Sequence, residues 1–348
     1  MRIESPYLLF LGDAADQLAA KTADGVARWR PDRCVGQLRL PGCHADVGQP
    51  DLTLEQGRRA GARTLIVGVA NRGGEISDLW METLLTALDL GYDIASGLHD
   101  RLSRIPRLAE RAGALGRGLC EVRYPEVELE VGHGEPRSGR RLLTVGTDCS
   151  CGKMFTALAI ERELSARGRK ATFRATGQTG ILIAGSGIAV DAVISDFIAG
   201  ATESLTPAND DDHWDLVEGQ GSLFHPSYAG VSLGLLHGSM ADALVLCHEP
   251  TRRHMRGLPH APLPTLTECI ALNEQCGQLT NPACRVIGLS LNTSALDGPG
   301  AGRALRAAED ETGLPAVDAC RDGGAARLAD ALEAGARPPT VGHRPCPS

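Results

Sequence analysis

Leu142-Leu143-Thr144-Val145-Gly146-Thr147-Asp148-Cys149-Ser150-Cys151-Gly152-Lys153 is the stretch on which the fold of this chain turns. A short apolar run ends in a glycine, passes through a tight polar loop, and meets a helical pattern from Met154 to Arg167. Strand, glycine-rich loop and helix in that order make a P-loop. Small residues let the loop wrap closely, so that backbone N–H groups converge on one anion. The helix N-terminus adds partial positive charge and Lys153 a full one. Five residues stand between Gly146 and Gly152, one more than in the Walker A spacing. Gly146, Thr147, Asp148, Cys149, Ser150, Cys151, Gly152 and Lys153, with Met154 beyond them, are therefore the expected cofactor-binding residues. Met154 stands where nucleotide-hydrolysing P-loops place the Ser or Thr that ligates Mg²⁺. A thioether is a poor ligand for a hard cation. Either another group holds the metal, or the loop grips a phosphate without phosphoryl transfer.

Outward from this stretch, the second half continues as strand and helix in alternation. Its strand candidates are Leu142–Val145, Ala171–Phe173, Ala192–Ile194, Leu216–Val217, Ala243–Cys247 and Val286–Leu291. Such alternation predicts a parallel sheet covered on both faces. Toward the N-terminus, residues 125–141 are rich in Glu, Gly, Pro and Arg and read as a linker. The first half alternates as well. Tyr7–Leu11 is an apolar run followed by a helical pattern to Trp29. Arg63–Ala70 reads as a buried parallel strand, Ser77-Asp78 opens a helix, and Tyr92–Gly97 is a further strand and turn. The arrangement is Rossmann-like but lacks G-x-G-x-x-G, so it is not read as a dinucleotide site. The expected organisation is α/β, with a Rossmann-like domain over residues 1–128. A P-loop parallel-sheet domain follows over 129–348 and ends in a loose Pro- and Arg-rich tail.

Bulk properties exclude several classes. A net charge of −8 and the lack of a basic run argue against nucleic acid as a partner. No apolar stretch approaches the roughly 18 residues of a membrane span. The N-terminal residues do not read as a signal peptide, and the eleven cysteines are scattered without a C-x-x-C pair. Reduced, buried thiols in a cytoplasmic protein are the expectation, with no metal site.

Other candidates follow strand ends. Arg174-Ala175-Thr176-Gly177-Gln178-Thr179-Gly180 offers a cation and small polar groups for a phosphate or carboxylate. Glu218, after the strand ending at Val217, suits a metal or a proton. His225 and His248 follow strand ends on the side where ligands bind in such sheets. Asn292 ends the last clear strand, where its amide can meet an adenine edge. Asp210-Asp211-Asp212 reads as a solvated loop.

Gly146-Thr147-Asp148 with Gly152-Lys153 and Val217-Glu218-Gly219 resembles dethiobiotin synthetase, an ATP-dependent carboxylase, and Asn292 falls where that enzyme's base-contacting Asn would. A wider set of motifs resembles the D-glutamate N-acetyltransferase family. It comprises Gly146–Met154, Arg174–Gly180, Val217–Ser222 with His225-Pro226 and Tyr228, Leu235–Ser239, and His248–Arg252. Gly73-Gly74 and Ser96–His99 extend it into the first half, and Met154 fits this family rather than the synthetase. The resemblance implies acetyl transfer from acetyl-CoA to the amine of D-glutamate or a similar acidic amino acid. An ATP-dependent ligase using ATP and Mg²⁺, or a non-catalytic nucleotide-binding regulator, are the competing readings. The chemistry asks for a base among Glu218, His225 and His248. It also asks for cations on the substrate carboxylates: Arg72 and Arg174, with Arg252 as a third. The loops Asn71, Arg72, Gly73, Gly74 and Ser96–His99, with Gln178, complete the expected substrate set. A small-molecule substrate and a homo-oligomer are the expected partners.

Overall fold

The computed structural model describes residues 2–69, 76–124, 128–321 and 323–335. The chain divides into two compact units, one of residues 1–137 and 173–208, the other of 138–172 and 209–348. Compactness thus groups 173–208, which the sequence reading assigns to the second domain, with the first half.

The first unit begins with β1 (Tyr7–Gly12), α1 (Lys21–Trp29), β2 (Cys34–Arg39), α2 (Leu54–Arg59) and β3 (Thr64–Val67). It continues with α3 (Asp78–Asp89), β4 (Asp93–Ser96), α4 (Pro106–Leu115) and β5 (Leu119–Glu121). Its sheet is ordered β2-β1-β3-β4-β5 and is parallel throughout. β1 and β3 are buried at every residue. That is why they read as continuous apolar runs rather than alternating ones. The sheet order reverses between β1 and β3, the place where doubly wound folds open a ligand crevice. In a chain with few aromatics, Trp80 of α3 is buried, and its indole N–H needs a partner there. Its ring meets Phe10 edge-on at 5.4 Å and its Nε1–H donates to Asp13 Oδ1 at 2.8 Å, tying α3 to the end of β1.

The second unit starts with β6 (Arg140–Gly146), α5 (Lys153–Ala166) and β7 (Ala171–Arg174). The excursion that follows carries α6 (Gln178–Ala184) and α7 (Ile198–Leu205) and belongs to the first unit. The chain then forms β8 (Trp214–Val217), α8 (Ala229–Ser239), β9 (Ala243–His248), the hairpin β10 (His254–Met255) and β11 (Leu258–Pro262), and α9 (Leu266–Gly277). It ends in β12 (Arg285–Leu291), α10 (Gly298–Thr312), β13 (Ala316–Val317) and α11 (Gly324–Gly335). The six-stranded sheet is ordered β13-β12-β9-β6-β8-β7. β6 pairs in parallel with β8 on one side and β9 on the other. The strands that follow β6 lie first to one side of it and later to the other. The loop after β6 therefore emerges at the switch point.

Where the structure departs from the sequence reading, the cause is pairing. Ala192–Ile194 is no strand. It follows a short 3₁₀ turn, Val190–Ala192, and Ile194 is exposed. β2, β5, β13 and the hairpin, which the sequence reading passes over, are short or mixed in polarity and exist through their neighbours. Trp80→Ala removes a large buried side chain with its hydrogen bond. It is expected to lower the unfolding free energy by about 3–5 kcal/mol, measured by chemical denaturation.

Candidate active site at the phosphate loop

Strand register gathers the second unit's candidates along one sheet edge. Gly146 pairs with Cys247, Leu291 with His248, and Leu143 with Val217. Thr147, Glu218, His248 and Asn292 therefore all lie at C-terminal strand ends. Backbone bonds stitch these ends together: Thr147 N donates to Cys247 O at 3.1 Å and Asn292 N to His248 O at 2.7 Å.

The loop itself is set by left-handed backbone and by one buried carboxylate. Ser150 has φ +52° and Gly152 φ +108°, a region that favours glycine. A Cβ on Gly146 would lie 2.7 Å from Cys151 Sγ, so the strand's end has no room for a side chain. Asp148 is fully buried. A charge so placed must be paired and hydrogen-bonded. Its Oδ1 accepts from Cys149 N at 2.7 Å. Its Oδ2 accepts from Arg252 Nη1 at 2.6 Å and from Arg256 N at 2.8 Å. Arg252 Nη1 also donates to Cys149 O at 2.6 Å, and its Nη2 pairs with Glu249. The sequence reading places Arg252 on a substrate carboxylate; in the fold its guanidinium is engaged by the loop.

Lys153 is buried at the first turn of α5. Its Nζ donates to Asp148 O at 2.8 Å and lies 3.6 Å from Cys151 Sγ. The ammonium is thus folded over the loop it serves. The next hydroxyl along α5 beyond Met154 does not stand in for the missing Ser or Thr, because Thr156 Oγ1 is bonded to Ser290 Oγ at 2.8 Å.

The three proton-transfer candidates differ in environment. Glu218 is buried just beyond β8. His225 is 2% exposed, its Nδ1 accepts from Ser227 N at 3.2 Å, and its Nε2–H donates to Arg256 O at 3.3 Å. Both ring nitrogens are therefore in use. His248 contacts Thr147 Oγ1 through Nδ1 at 3.0 Å, and its Nε2 has no partner among the described residues. Burial holds its pKa below the ordinary value of 6.5, so the ring is neutral at neutral pH. Burial pushes the Cys149 thiol up, with Lys153 pulling it the other way.

Asp148, Cys149 and His225 bring a carboxylate oxygen, a thiol and a ring nitrogen within 4.8 Å of one another. That spacing could hold a metal ion, but the carboxylate is already committed to Arg252 and two backbone N–H groups. Asn292 abuts the loop, and its Oδ1 accepts from Ser294 N at 3.2 Å. Asp210 and Asp212 form exposed ion pairs with Lys170.

The remaining substrate candidates fall in the first unit. The His99 carbonyl accepts from Tyr124 Oη at 2.7 Å, and Gln178 Nε2 donates to Asp191 at 3.0 Å. Arg174 ends β7. Asn71, Arg72, Gly73 and Gly74 lie outside the described residues. The sequence reading overlooks Asp148 as the loop's anchor. An Asp inside the P-loop and an Arg about a hundred residues later carry no shared local pattern.

Arg252→Ala leaves the Asp148 charge buried without its cation. The expected loss is about 3 kcal/mol of stability, read from denaturant midpoints. Asp148→Asn combined with Arg252→Met should lose less than Arg252→Ala alone, because no unpaired charge remains.

Comparison with known proteins agrees with this architecture. A family model described as the P-loop domain of DUF1611, a domain of unknown function, matches residues 130–329. Its companion, a Rossmann-like domain, matches residues 38–125. The chain is 57% identical over 332 residues to a D-glutamate N-acetyltransferase from Tritonibacter scottomollicae, covering 95% of this chain and 99% of that one. It is 46% identical over 323 residues to a D-glutamate N-acetyltransferase from a Pseudoalteromonas species, covering 93% and 97%. The crystal structure of a DUF1611 family protein from Anabaena variabilis superposes with a TM-score of 0.81 at 33% identity, over 95% of this chain and 100% of that one.

Proposed function

The chain belongs to the two-domain DUF1611 family, and on that premise we propose that it is an N-acetyltransferase acting on the amine of D-glutamate. The observation that carries this reading is the 57% identity to a D-glutamate N-acetyltransferase across nearly the whole of both chains. The acyl donor we propose is acetyl-CoA, with its diphosphate in the Gly146–Lys153 loop. A diphosphate gives the loop an anion to cradle. Because no phosphoryl group moves, Met154 costs the reaction nothing, whereas an ATP-dependent ligase would lack its Mg²⁺-holding hydroxyl. Binding frees Lys153 from Asp148 O and turns its ammonium to the phosphates.

The transfer is direct. The amine of D-glutamate attacks the thioester carbonyl, the C–N bond forms, the C–S bond breaks, and coenzyme A leaves as a thiol. The ammonium must first lose a proton. Of the three candidates His248 is the base, because its ring is neutral at neutral pH and its Nε2 has no partner among the described residues. Nδ1, held by Thr147, fixes the ring's orientation beside the loop. His225 and Glu218 are buried too deeply for the same task, and both ring nitrogens of His225 are already engaged.

A mixture of protein, acetyl-CoA and D-glutamate should release free thiol and no phosphate. Amino-acid-dependent ATP consumption without thiol release would sink the reading. His248→Ala should lower kcat by roughly 10²–10⁴-fold while coenzyme A still binds. Protonation of His248 removes the base, so the acid limb of kcat/KM should lie below 6.5. A profile in which His248→Ala keeps that limb would assign the proton elsewhere.

A further inference from the structure

The hairpin β10–β11 carries a charge pattern that the loop does not use. Residues 251–267 contain Arg252, Arg253, Arg256, His254 and His260 and no acidic residue, in a chain of net charge −8. The hairpin turns at Gly257, with φ +81°, and pairs Met255 with Leu258. Met255 is buried and pins the ribbon down. Arg256 is fastened to the phosphate loop through its backbone alone: its N–H donates to Asp148 Oδ2 at 2.8 Å and its carbonyl accepts from His225 at 3.3 Å. The backbone is held while the side chain is exposed. The side chains of Arg253 and Arg256 have no partner among the described residues. Arg252 alone among the three arginines is tied to the loop.

We infer that Arg253 and Arg256 bind the ribose 3′-phosphate of coenzyme A and make the site selective for it over cofactors that carry only a diphosphate. The inference rests on the reading of the loop as a coenzyme A diphosphate site. The 3′-phosphate stands on the ribose whose 5′ carbon bears the diphosphate, so its receptor must be an element beside the loop. The hairpin is that element, locked to the loop by Asp148. His248 also stands beside the loop, so the pantetheine arm folds back to bring the thioester to it, and binding measured without D-glutamate separates a phosphate role for these cations from a carboxylate role. Arginine is suited to a terminal phosphate, which it meets with two parallel N–H groups.

The test is calorimetric binding of coenzyme A and of 3′-dephospho-coenzyme A to the full chain, to R253A/R256A and to the charge reversal R256E. Both side chains are exposed, so the variants keep the backbone bonds to Asp148 and His225. The wild type should bind coenzyme A about tenfold or more tightly than the dephospho form. R253A/R256A should bind both with the affinity the wild type has for the dephospho form, and R256E should bind coenzyme A more weakly still. The wild-type preference should shrink as salt is raised. An unchanged ratio of the two affinities in both variants overturns the inference, as does a rise in KM for D-glutamate with coenzyme A affinity unmoved. Because the readout is binding, a protein that discriminates the 3′-phosphate but releases no thiol with D-glutamate would overturn the proposed reaction and leave the hairpin's role standing.

Discussion

A fully buried carboxylate organises the second unit. Asp148 sits inside the phosphate loop, where water cannot solvate it, so the fold must supply both a cation and hydrogen-bond donors. Arg252 is the cation, and the backbone N–H groups of Cys149 and Arg256 are the donors. One residue thereby joins the loop after β6 to the start of the hairpin after β9. The carbonyl of Arg256 extends the same connection to His225. Loop, hairpin and the segment beyond β8 are thereby joined through Asp148 and Arg256.

Around this centre the sheet distributes the chemistry. β6 lies between β8 and β9 at the point where the strand order reverses, and the residues that end those strands have nowhere to be except beside the loop. Burial then differentiates them. His225 is enclosed with both nitrogens engaged, while His248 keeps one nitrogen without a partner among the described residues and a ring that burial keeps neutral. Histidines of identical intrinsic basicity thus acquire different capacities from how deeply each is packed. Met154 follows Lys153 at the start of α5, where phosphoryl-transferring P-loops carry a Ser or Thr, and the next hydroxyl along that helix, Thr156, is bonded to Ser290.

Long apolar strands and the Gly-Lys loop were legible at once. Tyr7–Gly12, Thr64–Val67, Arg140–Gly146, Ala243–His248 and Arg285–Leu291 announce themselves because parallel strands are buried on both faces. Cys34–Arg39 did not, because its polar residues mask an edge strand. Ala192–Ile194 misled for the opposite reason: an apolar triplet has no signature that separates a strand from an exposed stretch. The role of Arg252 was also hidden. A cation just past a strand end looks the same in sequence whether it greets a ligand or neutralises a buried acid.

The two parallel-sheet units and the P-loop are written in contiguous residues whose local preferences agree, so they can be read before the chain folds. Which charges are free and which are engaged emerges on folding, which pairs Asp148 with Arg252 across 104 positions and leaves Arg253 and Arg256 facing solvent. The physical reason is that the worth of a charge depends on its burial and its partner. Both are properties of the folded neighbourhood, on which residues distant in the chain must converge.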